Sequence, residues 1–107
     1  MIKIIFQKGT LIPVIICDIC GKQIKDAQMG AVVHSLTDLS EQQKLDVLYA
    51  HKGACHDAAE KQFVKGNRRG SGWEELSIHL YYLCYNTGMT PQKIEEEHER
   101  FEAFGGF

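Results

Sequence analysis

Cys17 and Cys20 stand as a C-x2-C pair followed by Gly21, and His51 and Cys55 stand as an H-x3-C pair after an interval of 30 residues. Three thiols and an imidazole in two pairs form the donor set of a tetrahedral, thiolate-rich metal site. Zinc is the first expectation, and iron in a rubredoxin-like arrangement comes second because one donor is a histidine. The C-x2-C-G spacing makes chemical sense: a tight turn brings both sulfurs to one ion, backbone N–H groups point at the thiolates, and glycine accepts the left-handed conformation the turn needs. A helix starting near Ala54 places Cys55 in its first turn, where the dipole favours a thiolate. His56, beside Cys55, stands as an alternative ligand. Four protein ligands close an ion off from substrate, so the expected site is structural.

Two other readings of these residues compete. One is unrelated buried thiols with a surface histidine, a weaker reading than a bound metal given the paired spacing. The other is a redox C-x-x-C, but Asp18-Ile19 fills its middle, no aromatic precedes Cys17, and Pro13 and Pro91 are the only prolines available for the later cis bond such motifs use. His34, after Ala31-Val32-Val33, has the position of a nuclease-type general base at a strand end. No carboxylate immediately precedes it and no second metal set follows Gly53, so catalysis is not expected. Cys84, four residues after Leu80, is read as core.

A nucleic-acid contact would rest on Lys65, Arg68 and Arg69 with Trp73 beside them for stacking. Between Asp57 and Trp73 the net charge is only +2. The segment Asn86–Pro91 resembles the turn before a reading helix, but the helix that follows carries five glutamates (95, 96, 97, 99 and 102) against Lys93 and Arg100 and would meet phosphate repulsively. That face suits solvent or a basic protein partner better.

These residues must be held by a small framework. The chain has 107 residues, 12 Lys and Arg against 14 Asp and Glu, and an ordinary globular share of apolar residues, which excludes a generally basic nucleic-acid coat and fits one domain over 1–107. Gln7, Lys8 and Gly9 interrupt the apolar N-terminus before a signal core or membrane span could form, so a soluble cytosolic chain with reduced thiols is expected. Ile2–Phe6 and Leu11–Ile16 predict a hairpin about Lys8-Gly9-Thr10, with Pro13 on an edge. Ala31–His34 and Leu45–Ala50 predict a second hairpin with a long loop, in which Ser40 and Gln43 suggest a capping box for one helical turn. Cys55, Ala58, Ala59 and Phe63 mark a helical face ending at Lys65-Gly66. Gly66–Gly72 reads as a surface loop, and Trp73–Asn86 as a helix apolar on more than one side. Thr90 caps a last, charged helix over 92–104, with Pro91 at its first position.

A knuckle, a β-hairpin and a helix whose start supplies the last ligand resemble treble-clef zinc fingers, over Cys17 to about Phe63. The resemblance implies that Cys17 and Cys20 are the knuckle ligands, that His51 and Cys55 close the site, and that residues 35–44 are an insertion in the hairpin. It implies an α+β, zinc-stabilised treble-clef-like domain with a core over 17–65, and the residues beyond it predict a helical pair over 73–104 that docks on this platform. The expected function is a non-enzymatic interaction or regulatory module that binds a protein partner or a second copy through Ile78, Tyr82 and Tyr85. Nucleic-acid binding through the Arg68–Arg69 loop is the runner-up.

Overall fold

The computed structural model describes residues 1–36, 40–66 and 70–105. Strands β1 (Ile2–Gln7) and β2 (Thr10–Ile15) pair antiparallel with Gln7 opposite Thr10. Lys8 and Gly9 both take positive φ, 51° and 76°, which is the two-residue turn that matches the strands' twist. Pro13 faces Ile4 and is tolerated because a two-stranded sheet consists only of edges. The chain then makes the cysteine turn, and a short 3₁₀ turn at Ala27–Met29 follows, capped by Asp26, whose carboxylate accepts from the Gln28 N–H at 2.9 Å.

The second sheet carries the site. Its order is β4 (Val47–His51), β3 (Gly30–Ser35), β5 (Ser71–Glu75), all antiparallel neighbours. Central β3 is buried from Gly30 to Val33, a continuous run rather than an alternating one, because both faces are covered. Helix α1 (Ala54–Gly66) lies on the face of Trp73, which its His56 ring touches. Helix α2 (Leu76–Asn86) lies on the opposite face, where His79 meets Tyr49 and Glu74. The core between them is Cys17, Ile24, Val32, Val33, Ala50, Ala59 and Leu76. Such a short set of buried side chains calls for a staple.

Three expectations need correction. Trp73–Glu75 is strand, not the start of a helix, and Ser71 and Gly72 belong to the same strand rather than to a loop. The reason is tertiary: paired with β4 alone, β3 would bury an edge of unsatisfied N–H and C=O groups, and 71–75 supplies their partners. Glycine at 72 permits this pairing, since a Cβ there would lie 2.6 Å from Cε1 of the His34 ring. The Ser40–Gln43 box closes a turn instead of a helical turn: Gln43 Oε1 accepts from the Ser40 N–H at 3.2 Å, and Gln42 has φ 61°, which is not helical. The helical pair does not dock as a pair. Helix α2 packs on β3, β5 and the 3₁₀ turn, whereas every residue of α3 (Pro91–Ala103) is exposed. Thr90 does cap α3, accepting from the Lys93 N–H at 3.2 Å, with Pro91 at the first position. No helix among the described residues is long and apolar enough to cross a membrane.

Candidate metal centre

Cys17 Sγ, Cys20 Sγ, Cys55 Sγ and a ring nitrogen of His51 all lie within 4.8 Å of one another. The turn that presents the first two is held by its own backbone. Gly21 N–H donates to Cys17 O at 3.0 Å, Cys17 N–H donates to Lys22 O at 2.9 Å, and Gly21 has φ 75°, where a side chain would be strained. The Cys20 N–H points at Cys17 Sγ from 3.5 Å. Asp18 locks the turn to the sheet: its N–H donates to Tyr49 O and its carboxylate accepts from Tyr49 N–H, both at 2.7 Å. Tyr49 lies two residues before His51, so this clamp sets the distance between the two ligand pairs.

His51 ends β4 with its ring oriented for coordination. Nε2 lies 3.3 Å from the Gln23 carbonyl, to which Nε2–H donates, which leaves the Nδ1 lone pair free, 3.4 Å from Cys20 Sγ. Cys55 comes from the first turn of α1, after Gly53, whose carbonyl accepts from the Asp57 N–H at 3.0 Å. A tetrahedral ion bound at about 2.3 Å to sulfur and about 2.0 Å to nitrogen holds its ligand atoms roughly 3.5–3.8 Å apart. Cys20 Sγ and His51 Nδ1, 3.4 Å apart, are close to that figure, and the whole set, within 4.8 Å, is near enough to close on one ion. The four donors make a zinc-finger-like cluster that can bind a metal ion.

Electrostatics show what the bare cluster costs. Burial pushes the Cys17 thiol up, but the backbone N–H groups of Cys20, His51 and Ile19 outweigh it and bring it down to about 6. Cys55 is pushed up to about 11, first by burial and then by proton sharing with Cys17 and Cys20 and by their charge. Crowded sulfurs therefore cannot all ionise without a cation, and a divalent ion would release the remaining protons on binding.

The other sequence candidates lie elsewhere. His56 is not in the cluster: its Nε2 pairs with Glu60 Oε1 at 3.0 Å and its ring sits 4.6 Å from that of Trp73. His34 pairs with Val47, four positions along β3 from the Gly30–His51 pair, roughly 13 Å away, and its Nδ1 lies 3.0 Å from Ser35 O. Arg68 and Arg69 lie outside the described residues, as does the side chain of Lys65, so of the nucleic-acid candidates only Trp73 is placed, in β5 against His56. Ile78, Tyr82 and Tyr85 fall at i, i+4 and i+7 of α2 and are 46 %, 50 % and 70 % exposed. Cys84 is only half-buried, on a side of α2 that lines a cavity.

One group of polar residues escaped the sequence reading. The Tyr49 hydroxyl donates to His79 Nε2 at 3.3 Å, and His79 Nδ1–H donates to Glu74 Oε1 at 2.7 Å, tying β4 and β5 together through α2. Burial and then the Asp18 charge raise the Tyr49 hydroxyl above its ordinary value, so it stays a donor. Nothing local announces this link, because Glu74 faces His79 only once 71–75 is a strand. Asp18 carried a faint signal, as a carboxylate inside the C-x2-C turn. Comparison with protein-family models, curated proteins and solved structures finds no match for this chain.

Proposed function

We propose that Cys17, Cys20, His51 and Cys55 hold one structural zinc ion, and that the chain is a treble-clef-like, non-enzymatic interaction module built on it. The observation that carries this reading is the mutual approach of the four donors within 4.8 Å, from a turn, a strand end and a helix start that are far apart in sequence. Thiolate-rich tetrahedral sites select zinc, and four protein donors leave no position for substrate. The zinc supplies folding energy: it joins the cysteine turn to β4 and α1 around a core too small to stand easily alone. The surface offered to a partner is α2, with Ile78, Tyr82 and Tyr85 exposed on a helix that commits Leu76 and Leu80 to the core. A reducing compartment such as the cytosol keeps the thiols available as ligands.

The test is elemental mass spectrometry of protein purified without added metal, with a count of free thiols in the native state. Close to one zinc per chain, with Cys17, Cys20 and Cys55 protected from alkylation, is the expected result. Metal-free protein with a reducible Cys17–Cys20 disulfide would replace the reading with a redox one.

A further inference from the structure

Two parts of the molecule present apolar surface with nothing over it, and their charges are opposite. The first is the β1–β2 hairpin. Its register sets Ile2 against Ile15, Ile4 against Pro13 and Phe6 against Leu11, and strand alternation puts all six on one face; Ile15 packs against the core and borders a cavity with Ile2, Pro13, Leu76 and Leu80, so the uncovered part is the outer end of the hairpin. Ile4, Phe6 and Leu11 are 68 %, 73 % and 68 % exposed. The second is the elbow between α2 and α3, a cavity of about 540 Å³ walled by Leu80, Tyr81, Cys84, Tyr85, Met89 and Ile94. That volume is in the range of about 300–1,000 Å³ in which proteins seat apolar groups. Contiguous apolar surface of this kind marks a contact site.

Charge chooses the occupant. Residues 1–16 hold Lys3 and Lys8 and no acidic residue; Lys3, opposite Val14, lies on the other face of the hairpin, and Lys8 stands in the turn beside Phe6 and Leu11, so the tip of an uncharged apolar face carries a positive charge. Helix α3, which forms one wall of the elbow, has a net charge of −3. Elbow against elbow would bring acid to acid, and hairpin against hairpin lysine to lysine. Hairpin into elbow brings unlike charges together and covers both apolar faces at once.

We infer that the α2–α3 elbow receives the β1–β2 hairpin of a second copy of this chain, Phe6 and Leu11 entering the cavity while Lys8, in the turn beside them, meets the glutamates of α3. This rests on the interaction-module reading above and adds which surfaces meet. Two reciprocal hairpin–elbow contacts close a two-fold dimer and leave neither surface free to propagate a chain of copies. The arrangement also supplies what both elements lack alone, since an isolated hairpin and an isolated helix of 13 residues are each marginal in water.

Sedimentation equilibrium of the full, zinc-loaded chain from micromolar to hundreds of micromolar concentrations tests it. The wild-type chain dimerises, Phe6→Glu weakens the dimer by about tenfold or more, and thermal unfolding and zinc content show that this exposed substitution leaves the fold intact. Lys8→Glu and Glu95→Lys/Glu99→Lys each weaken association. Mixing these two variants restores it, because both contacts of the mixed dimer again pair unlike charges. A folded, zinc-loaded chain that stays monomeric throughout overturns the inference and leaves the zinc reading standing. So does a dimer indifferent to Phe6→Glu but broken by Ile78→Glu, which would assign the contact to the other face of α2, and so does a mixture that fails to recover. A chain without zinc that still dimerises through Phe6 would instead sink the zinc reading alone.

Discussion

The half of this molecule around the four clustered donors and its helical arm are stabilised in opposite ways. Around the four donors each element is held several times over: the cysteine turn by its own hydrogen bonds, by Asp18 on Tyr49 and by burial of Cys17, and β3 by a strand on either side and a helix on either face. In α3 no residue is buried, and what holds the helix is local: the Thr90 cap, the Arg100–Glu97 and His98–Glu102 pairs, and the Gln92–Glu96 hydrogen bond. Exposed pairs of this kind contribute about 0–1 kcal/mol each, whereas a structural zinc site contributes about 10–16 kcal/mol in peptides that fold on the metal. Damage to the first half should therefore spread through the fold, and damage to the second should stay where it is made.

The largest break in that contrast is removal of a ligand. Cys17→Ser takes a fully buried sulfur from both the donor cluster and the core, and if the cluster holds the proposed zinc the fold should be lost, since typical domains have only about 5–15 kcal/mol to lose. Circular dichroism with a thermal scan checks it, and a strong chelator on the wild-type chain should give the same loss. Unfolding midpoints unchanged by both treatments would mean that the ion is not the staple.

His51 and His56 sharpen the same contrast within one half. His51→Ala removes a donor and should approach Cys17→Ser in severity. His56→Ala removes a pair with Glu60 and a ring contact with Trp73, and should cost about 1 kcal/mol with zinc stoichiometry unchanged. The reverse order, by zinc content and thermal midpoint, would reassign the ligand.

The pattern of what the sequence reveals follows from the same physics. The donor cluster could be read because coordination dictates both residue type and spacing, and the hairpin turn because Lys8-Gly9 suits a conformation few dipeptides adopt. Helix α1 was legible from the period of Cys55, Ala58, Ala59 and Phe63. What could not be read depends on distant partners. Trp73-Glu74-Glu75 has no strand pattern of its own and is extended only because β3 needs a second neighbour. The Tyr49–His79–Glu74 link and the choice between His51 and His56 exist only after that sheet is formed. The apolar residues of α2 were visible, but which of them face the sheet was not.

Gly30→Ala is the next test in size and probes packing without touching the metal. A Cβ at Gly30 would lie 2.7 Å from Leu76 Cδ2, 3.0 Å from Leu76 Cβ and 3.1 Å from Ile24 Cγ2, where β3 meets α2. Two of these atoms belong to the largest fully buried side chain of the core, so the strand and helix must move apart. Overpacking of this sort costs about 1–3 kcal/mol. A lowered denaturation midpoint with one zinc still bound is expected, and an unchanged midpoint would show that α2 sits more loosely on the sheet than these distances require.

Thr90→Ala should have the smallest effect and is the most informative about the arm. The side chain accepts from the Lys93 N–H, and losing such a cap costs about 0.5–2 kcal/mol of helix stability. In a helix with a buried face that cost would appear in the global midpoint. Here it should appear as a fall in helical ellipticity and faster amide exchange confined to 91–103, with the thermal midpoint of the zinc-bound body unchanged for the monomer, because no core contact links α3 to β3. If the elbow does hold a second copy's hairpin, the same substitution acquires a second consequence: at concentrations where the chain is paired, part of the lost helix stability is charged against the dimer, and Thr90→Ala weakens association as well. A global midpoint lowered equally at low and high concentration would mean that the arm is coupled to the body after all, and that the two halves are one cooperative unit.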